Sequence, residues 1–293
     1  MLRLLSLLTL LLLGITCLDG AVVSWWRFES DTDPSVSALS NPNEITTEPA
    51  MVSTNAVLGN QVPDLFNNYV PGANVPNTAS VRSYINGGGN DGIFGTAGYS
   101  STLNVNSITV EFWVRTTENE AGFVSRTTNA ANSGETVGDL PDGFKIVDPQ
   151  NVRVEFRTSR IDGSNVQYST ITSNIAVNDG AWHYIAYRYD TTTKTGKLTV
   201  DSTTSSLTLG GGQQRRLWWG DTSAQPTVNV GYRLDGNPNN QTGTLDELRF
   251  SDTSVPDNGL LITPVPEPAT ITLGVLLLGW SAVDYRRRAR KRS

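Results

Sequence analysis

Two short stretches hold the residue types best suited to binding chemistry. Trp218 and Trp219 follow Arg215 and Arg216, after a run of three glycines that begins at Gly210. An indole ring offers a flat apolar face to the C–H side of a sugar ring, and a neighbouring guanidinium can take the hydroxyls. Adjacent strand residues face opposite ways, so at most one of the two tryptophans can enter a core. An exposed ring beside Arg216 suits a saccharide or partner contact. The alternative is that the pair covers a sheet edge. The second stretch is Asp235-Gly236-Asn237-Pro238-Asn239, with Asp246 eleven residues beyond Asp235. The oxygens of Asp235, Asn237, Asn239 and Asp246 imitate positions 1, 3, 5 and 12 of a calcium loop. Asn240 stands where such a loop needs glycine, and no helices flank it. The alternative is an Asx-rich hairpin turn, with Asp246 on a strand capping backbone groups. Calcium is the one cofactor these residues raise.

Other constellations give less. His183 is the single histidine, which excludes a multi-His zinc site. As a base it needs a placed partner, and beside Trp182 in an apolar run it reads as a strand residue. The only cysteine is Cys17, inside the leader described below, so the mature chain has no disulfide or catalytic thiol. Residues Gly87 to Gly92 match G-x-G-x-x-G, but a dinucleotide fingerprint needs a helix to begin at the glycines. Ile93-Phe94-Gly95-Thr96 follows without a helical period, so the stretch reads as a strand connection. There is no G-x-S-x-G nucleophile elbow. Asp246 and Glu247 are adjacent and point to opposite faces of a strand, and Glu111 has no carboxylate two residues away. Of 22 basic and 28 acidic residues, seven basic and two acidic lie in the terminal segments. The body is therefore more acidic than the chain's formal charge of −6, which excludes nucleic-acid backbone binding through clustered Lys and Arg.

The elements that must position these residues are strands. Ile108, Val110, Phe112 and Val114 alternate with Thr109, Glu111, Trp113 and Arg115, which places the first set on a buried face. Further short runs are expected at 22–28, 80–85, 122–126, 143–147, 152–157, 167–172, within 179–190, and at 196–201, 206–209, 227–231 and 244–251. Each is bounded by Gly, Asn, Asp or Pro, and no amphipathic helix stands out. Many short strands with turn signals indicate a sandwich or jelly roll. Residues 31–76 read as loop with at most one short strand. Trp25, Trp26, Trp113 and Trp182 lie in strands and are expected in the core.

Four landmarks in order then give a specific likeness: Trp25-Trp26-Arg27-Phe28; the strand Ile108 to Val114; Asp179-Gly180, Trp182-His183-Tyr184-Ile185-Ala186 and Leu198-Thr199-Val200-Asp201; and Val230-Gly231-Tyr232 with Gly243-Thr244-Leu245-Asp246-Glu247-Leu248-Arg249-Phe250. From residue 21 to about 254 the chain resembles a laminin-G-like domain. The resemblance implies an all-β, concanavalin-A-like jelly-roll sandwich of two antiparallel sheets. Residues 213–221 have no counterpart in that family. Glycosidases on this fold commonly carry Glu-x-Asp-x-x-Glu, which puts carboxylates on one concave face, and that pattern is absent here.

The ends concern destination. Residues 1–20 hold Arg3 and a Leu-rich core, the form of a signal peptide cut by signal peptidase; an uncleaved signal anchor is the alternative, and Cys17 only loosely fits a lipoprotein site. Residues 255–264 read as a linker. Then come Pro266, Glu267 and Pro268, the uncharged apolar run 269–283, and a basic tail within 284–293 that contains Arg286, Arg287 and Arg288. The run is shorter than the roughly 20 residues of a full span, and the basic residues after it are expected on the cytoplasmic side. Residues 265–293 resemble a PEP-CTERM sorting signal, which implies recognition and removal by an exosortase. An ordinary C-terminal membrane anchor is the alternative. With an N-terminal signal helix and a short C-terminal transmembrane helix, the expectation is an exported protein of the cell surface or extracellular matrix, at least transiently held in the inner membrane. Its expected role is non-catalytic binding of extracellular polysaccharide. The alternatives are a structural surface protein without a specific ligand and a glycoside hydrolase or lyase on the same fold.

Overall fold

In a computed structural model, the structure describes residues 22–26, 28, 56–59, 80–83, 95–119, 122–127, 143–220, 225–231 and 243–262. The chain divides into two compact units, residues 1–262 and 263–293. The leader, the Gly87–Gly92 stretch and the sorting segment all lie outside the described residues.

Fifteen strands follow in order among the described residues: β1 (Val22–Trp26), β2 (Ala56–Gly59), β3 (Ser80–Ser83), β4 (Gly95–Ala97), β5 (Ile108–Thr116), β6 (Gly122–Thr127), β7 (Phe144–Val147), β8 (Arg153–Arg160), β9 (Gln167–Thr172), β10 (Trp182–Asp190), β11 (Thr195–Val200), β12 (Thr203–Thr208), β13 (Arg215–Leu217), β14 (Thr227–Val230) and β15 (Gly243–Ser251). They form two sheets whose pairings are all antiparallel. The eight-stranded sheet runs β12-β11-β10-β5-β15-β3-β2, with β1 also on β15. The seven-stranded sheet runs β13-β8-β7-β6-β14-β4, with β9 on the free side of β8. The fold is the expected all-β sandwich. β4 and β13 went unanticipated because three residues are too few to show a period.

Alternation along each strand builds the core between the sheets. Ile108, Val110, Phe112 and Val114 of β5 all point inward, as their spacing predicts, and meet Ile185, Tyr187 and Tyr189 of β10. Phe144 and Phe156 of the seven-stranded sheet pack against Tyr187 at ring separations of 5.6 and 5.4 Å. Trp26 joins this core edge-on to Phe250, 5.6 Å between centroids. Offset and edge-on pairs of this kind add to the area they bury.

The opposite side of β5 is also buried, against the simple reading of its alternation. Glu111 is fully buried and Trp113 is 3% exposed. The chain after β15 doubles back as a strap over this face. Val255 and Leu260 are buried there, with Leu261 and Ile262 packed beside them on Trp25, Trp113, Tyr184 and Trp182. Residues 255–262, expected as a linker, thus belong to the first unit. Three of the four strand tryptophans are buried, and Trp182 is half-buried against this second cluster.

Candidate functional site: the open face of the seven-stranded sheet

The site begins at β13. Arg215, Leu217 and Trp219 take one face of this segment, and Arg216 and Trp218 the other. Arg215 is 4% exposed and fixes the orientation. Its Nε donates to Thr158 Oγ1 (3.1 Å), and its Nη2 donates to the carbonyls of Thr158 (3.1 Å) and Asn165 (2.6 Å). Those bonds tie β13 to β8 and to the β8–β9 turn. Leu217 and Trp219 enter the core. Trp219 donates from Nε1 to the Val105 carbonyl at 2.9 Å, and the Arg126 guanidinium lies 4.3 Å from its ring centroid. Gly143, at φ +105°, lets the backbone pass beside this ring; a Cβ there would fall 2.1 Å from the Arg126 carbonyl oxygen and 2.9 Å from Trp219. Trp219 is therefore a core residue, which corrects the expectation that it contacts a saccharide: parity let one of the pair go inside, and the register of β13 on β8 sends Trp219.

Trp218 and Arg216 remain on the outer face, both half-buried. The Trp218 N–H donates to the Arg157 carbonyl at 3.0 Å, and Arg157 pairs across β8–β9 with Tyr168. Trp218, Arg157 and Tyr168 thus form one row across three neighbouring strands, about 10 Å wide at ordinary strand spacing. Tyr168 is 40% exposed, and Ile161 and Val166 of the same hairpin are 47% and 42% exposed. Partial burial, with Glu155 nearby, raises the Tyr168 pKa. The turn between β8 and β9 walls one end. Gly163, at φ +82°, brings it so close that a Cβ would meet the Trp218 ring at 3.5 Å and Arg216 Nη2 at 4.0 Å. Asp162 braces that turn by accepting from the Ser164 N–H (2.9 Å) and hydroxyl (2.7 Å), which lowers its pKa.

Beyond the aromatic row lies a charged one. Lys145 Nζ reaches Glu155 at 3.0 Å, and Arg153 reaches Glu155 at 2.8 Å and Asp148 at 3.0 Å. Burial works to raise the Glu155 pKa, but Lys145 and Arg153 outweigh it and the carboxyl is lowered. Arg157 and Tyr168 were not singled out from the sequence. The available signal is the period-two polar series Arg153, Glu155, Arg157 and Tyr168, Thr170, Thr172, which marks a sheet face outside the apolar core.

The eight-stranded sheet carries a similar set of groups in a different state. Arg249 Nε donates to Glu111 Oε1 at 2.7 Å, and its Nη2 also reaches that oxygen. Tyr184 and the Leu261 N–H (2.8 Å) donate to Glu111 Oε2. Trp25 Nε1 donates to Glu247 at 2.6 Å. Arg249 also binds the Gly259 carbonyl (2.8 Å), and Arg188 binds Asp257 and the Val255 carbonyl (3.1 Å). Burial, reinforced by Glu111, holds the Tyr184 hydroxyl protonated. The carboxylates of Glu111 and Glu247 are shielded from solvent and engaged by protein donors, whereas Asp257 is exposed.

Asp246, expected among the calcium ligands, is fully buried on β15, and its Oδ1 accepts the Glu247 N–H at 2.8 Å. The donation helps hold Glu247 at φ +53° in the bulge of β15. Asp235, Asn237 and Asn239 lie outside the described residues. Among the described residues no group of three or more His, Cys, Asp or Glu is arranged to hold a metal. His183 sits at the rim between two carboxylates, with Nδ1 2.9 Å from Asp201 and Nε2 3.0 Å from Asp179. Asp201 contributes most to raising its pKa, against partial burial. A depression of about 480 Å³ opens elsewhere, lined in part by Asn104, Asn106, Asp190 and Asp252. It has no aromatic wall, and Asp190 already binds Thr192 and Thr193.

A family model described as Laminin_G_3, the concanavalin A-like lectin/glucanases superfamily, matches residues 87–258. No curated protein matches in sequence. Among solved structures, the binding domain of Paraclostridial Mosquitocidal Protein 1 is similar at TM-score 0.48 and 16% identity, over 81% of this chain and 50% of that one. This chain thus spans half that length. The Ruminococcus gnavus IT-sialidase CBM40, bound to α2,3-sialyllactose, is similar at TM-score 0.41 and 14% identity, over 57% and 92% of the two chains. Domains LG4-5 of the mouse laminin α1 chain are similar at TM-score 0.38 and 14% identity, over 55% and 40%.

Proposed function

Because this chain belongs to the concanavalin A-like lectin/glucanases superfamily, we propose that it is a non-catalytic carbohydrate-binding protein that acts through the open face of its seven-stranded sheet. One observation carries the reading: Trp218, Arg157 and Tyr168 stand in a row on the partly exposed β13-β8-β9 side of the sheet, with Arg216 beside them. Sugar rings stack on the aromatic faces, and the guanidinium groups take ring hydroxyls. The engagement of Glu111 and Glu247 under the strap, and of Glu155 by Lys145 and Arg153, supports binding over hydrolysis, since a glycosidase needs two carboxyl groups flanking an accessible bond.

The protein's destination is part of the same proposal. Signal peptidase removes residues 1–20, the run 269–283 holds the chain transiently in the inner membrane, and an exosortase recognises Pro266, Glu267 and Pro268. The product lies at the cell surface or in the extracellular matrix, where polysaccharide is the abundant ligand. The terminal residues of the protein recovered from the surface, read by mass spectrometry, test this route. Intact residues 1–20 or 269–293 there would refute it.

The binding test is a polysaccharide panel probed with the protein, with and without calcium. The expected result is retention on at least one polymer, lost in Trp218→Ala while circular dichroism stays unchanged. No retention in either condition, or retention indifferent to Trp218→Ala, would overturn the reading. A dependence on calcium would bring Asp235, Asn237 and Asn239 into the site.

A further inference from the structure

The charges around the aromatic row are not balanced evenly. Glu155 is shared by Lys145 and Arg153, and Asp148 is held by Arg153. Asp162 is turned onto Ser164 within its own turn. None of these carboxylates pairs with Arg216. Among the described residues the Arg216 side chain makes no hydrogen bond or ion pair, and its Nε is shielded from solvent without a partner. The guanidinium nonetheless lies near the indole, since Nη2 and the Trp218 ring are 4.0 and 3.5 Å from the place a Cβ on Gly163 would take.

A shielded N–H without an acceptor leaves a donor for a ligand to satisfy. The group that satisfies a guanidinium best is a planar or tetrahedral oxyanion, which receives two parallel N–H donors. A neutral sugar hydroxyl supplies one acceptor and no charge. Resting on the reading of this face as a saccharide site, we infer that its ligand is an anionic polysaccharide, whose carboxylate or sulfate is held by Arg216 while the ring that bears it packs on Trp218. The chain's formal charge is −6, so its overall field does not gather polyanions. Recognition rests on this local contact.

The test uses polymers in matched pairs, titrated calorimetrically into the full-length protein: polygalacturonate against its carboxyl-reduced form, and dextran sulfate against dextran. The charged member of at least one pair is expected to bind about tenfold tighter than its neutral twin, the scale of one charge-assisted contact. The pair that shows the preference identifies the anion. Arg216→Gln should bring the charged member down to the neutral level, and Trp218→Ala should weaken both. Arg216→Gln melts with the wild type, because its side chain has no partner to lose. Equal binding of charged and neutral twins, or a preference that survives Arg216→Gln, would overturn this inference; if Trp218→Ala still abolished that binding, the saccharide reading would stand. No binding to any of the four polymers would overturn this inference, and no retention across the wider panel would overturn both.

Discussion

The two outer faces of the sandwich pose the same chemical problem and solve it in opposite ways. On the eight-stranded sheet Trp25, Arg249 and Glu111 occupy neighbouring strands in register. On the seven-stranded sheet Trp218, Arg157 and Tyr168 do so. The first arginine has a carboxylate beside it and a strap of chain above it. The Arg216 side chain, by contrast, has neither an ion pair nor a hydrogen bond among the described residues. Residue type therefore does not distinguish a buried structural network from a binding surface. The number of internal partners and the presence of a cover do.

Four outcomes would sharpen or break that comparison. The largest concerns the covered face. Glu111→Ala leaves Arg249 buried without its carboxylate, and losing one partner of a buried pair costs about 3–5 kcal/mol. Urea denaturation reads this directly, and a loss below about 1 kcal/mol would mean that the strap does not seal the pair. Second is the strap itself: Leu260→Ala should cost about 2–5 kcal/mol, the range for a buried leucine, again by urea denaturation. Third is the open face. Arg216→Ala should change stability by less than about 0.5 kcal/mol, as surface substitutions do, while reducing glycan affinity. Equal stability losses for Arg216→Ala and Glu111→Ala would erase the distinction between the faces.

The smallest effect belongs to the rim. His183 is raised above its usual 6.5 by Asp201 and Asp179. Its contribution is fully present below pH 6.5 and is lost as pH rises through the raised folded value. The stability advantage of the wild type over His183→Gln should therefore shrink on going from pH 6 to alkaline solution. A difference that stays flat or grows with pH would mean that the imidazole is held neutral.

Much of the fold was legible because β5 and β10 are long enough for alternation to declare an inner face, and Gly, Asn and Asp mark the turns. What alternation could not show was the second burial of Glu111 and Trp113. That burial depends on residues 255–262, whose Pro, Asp, Asn and Gly look like a linker and whose four apolar side chains have no period. The candidate site was half legible. Trp218 and Arg216 stand out in sequence, and strand parity limits the Trp pair to one core member. Which one it is follows from the register of β13 on β8, and β13 is too short to be seen. Arg157 and Tyr168 meet only through cross-strand pairing, which no local window contains.

The strap also has a mechanical consequence. It is the last described part of the first unit, so tension applied at residue 263 reaches Ile262 and Leu261 before any strand. Leu261 is pinned to Glu111, Gly259 to Arg249, and Val255 and Asp257 to Arg188. These fastenings lie one behind another along the chain and yield in sequence, as a peeling seam does. The strap would act as a fuse between a pulled tail and β15, parting before the sheet itself carries the load.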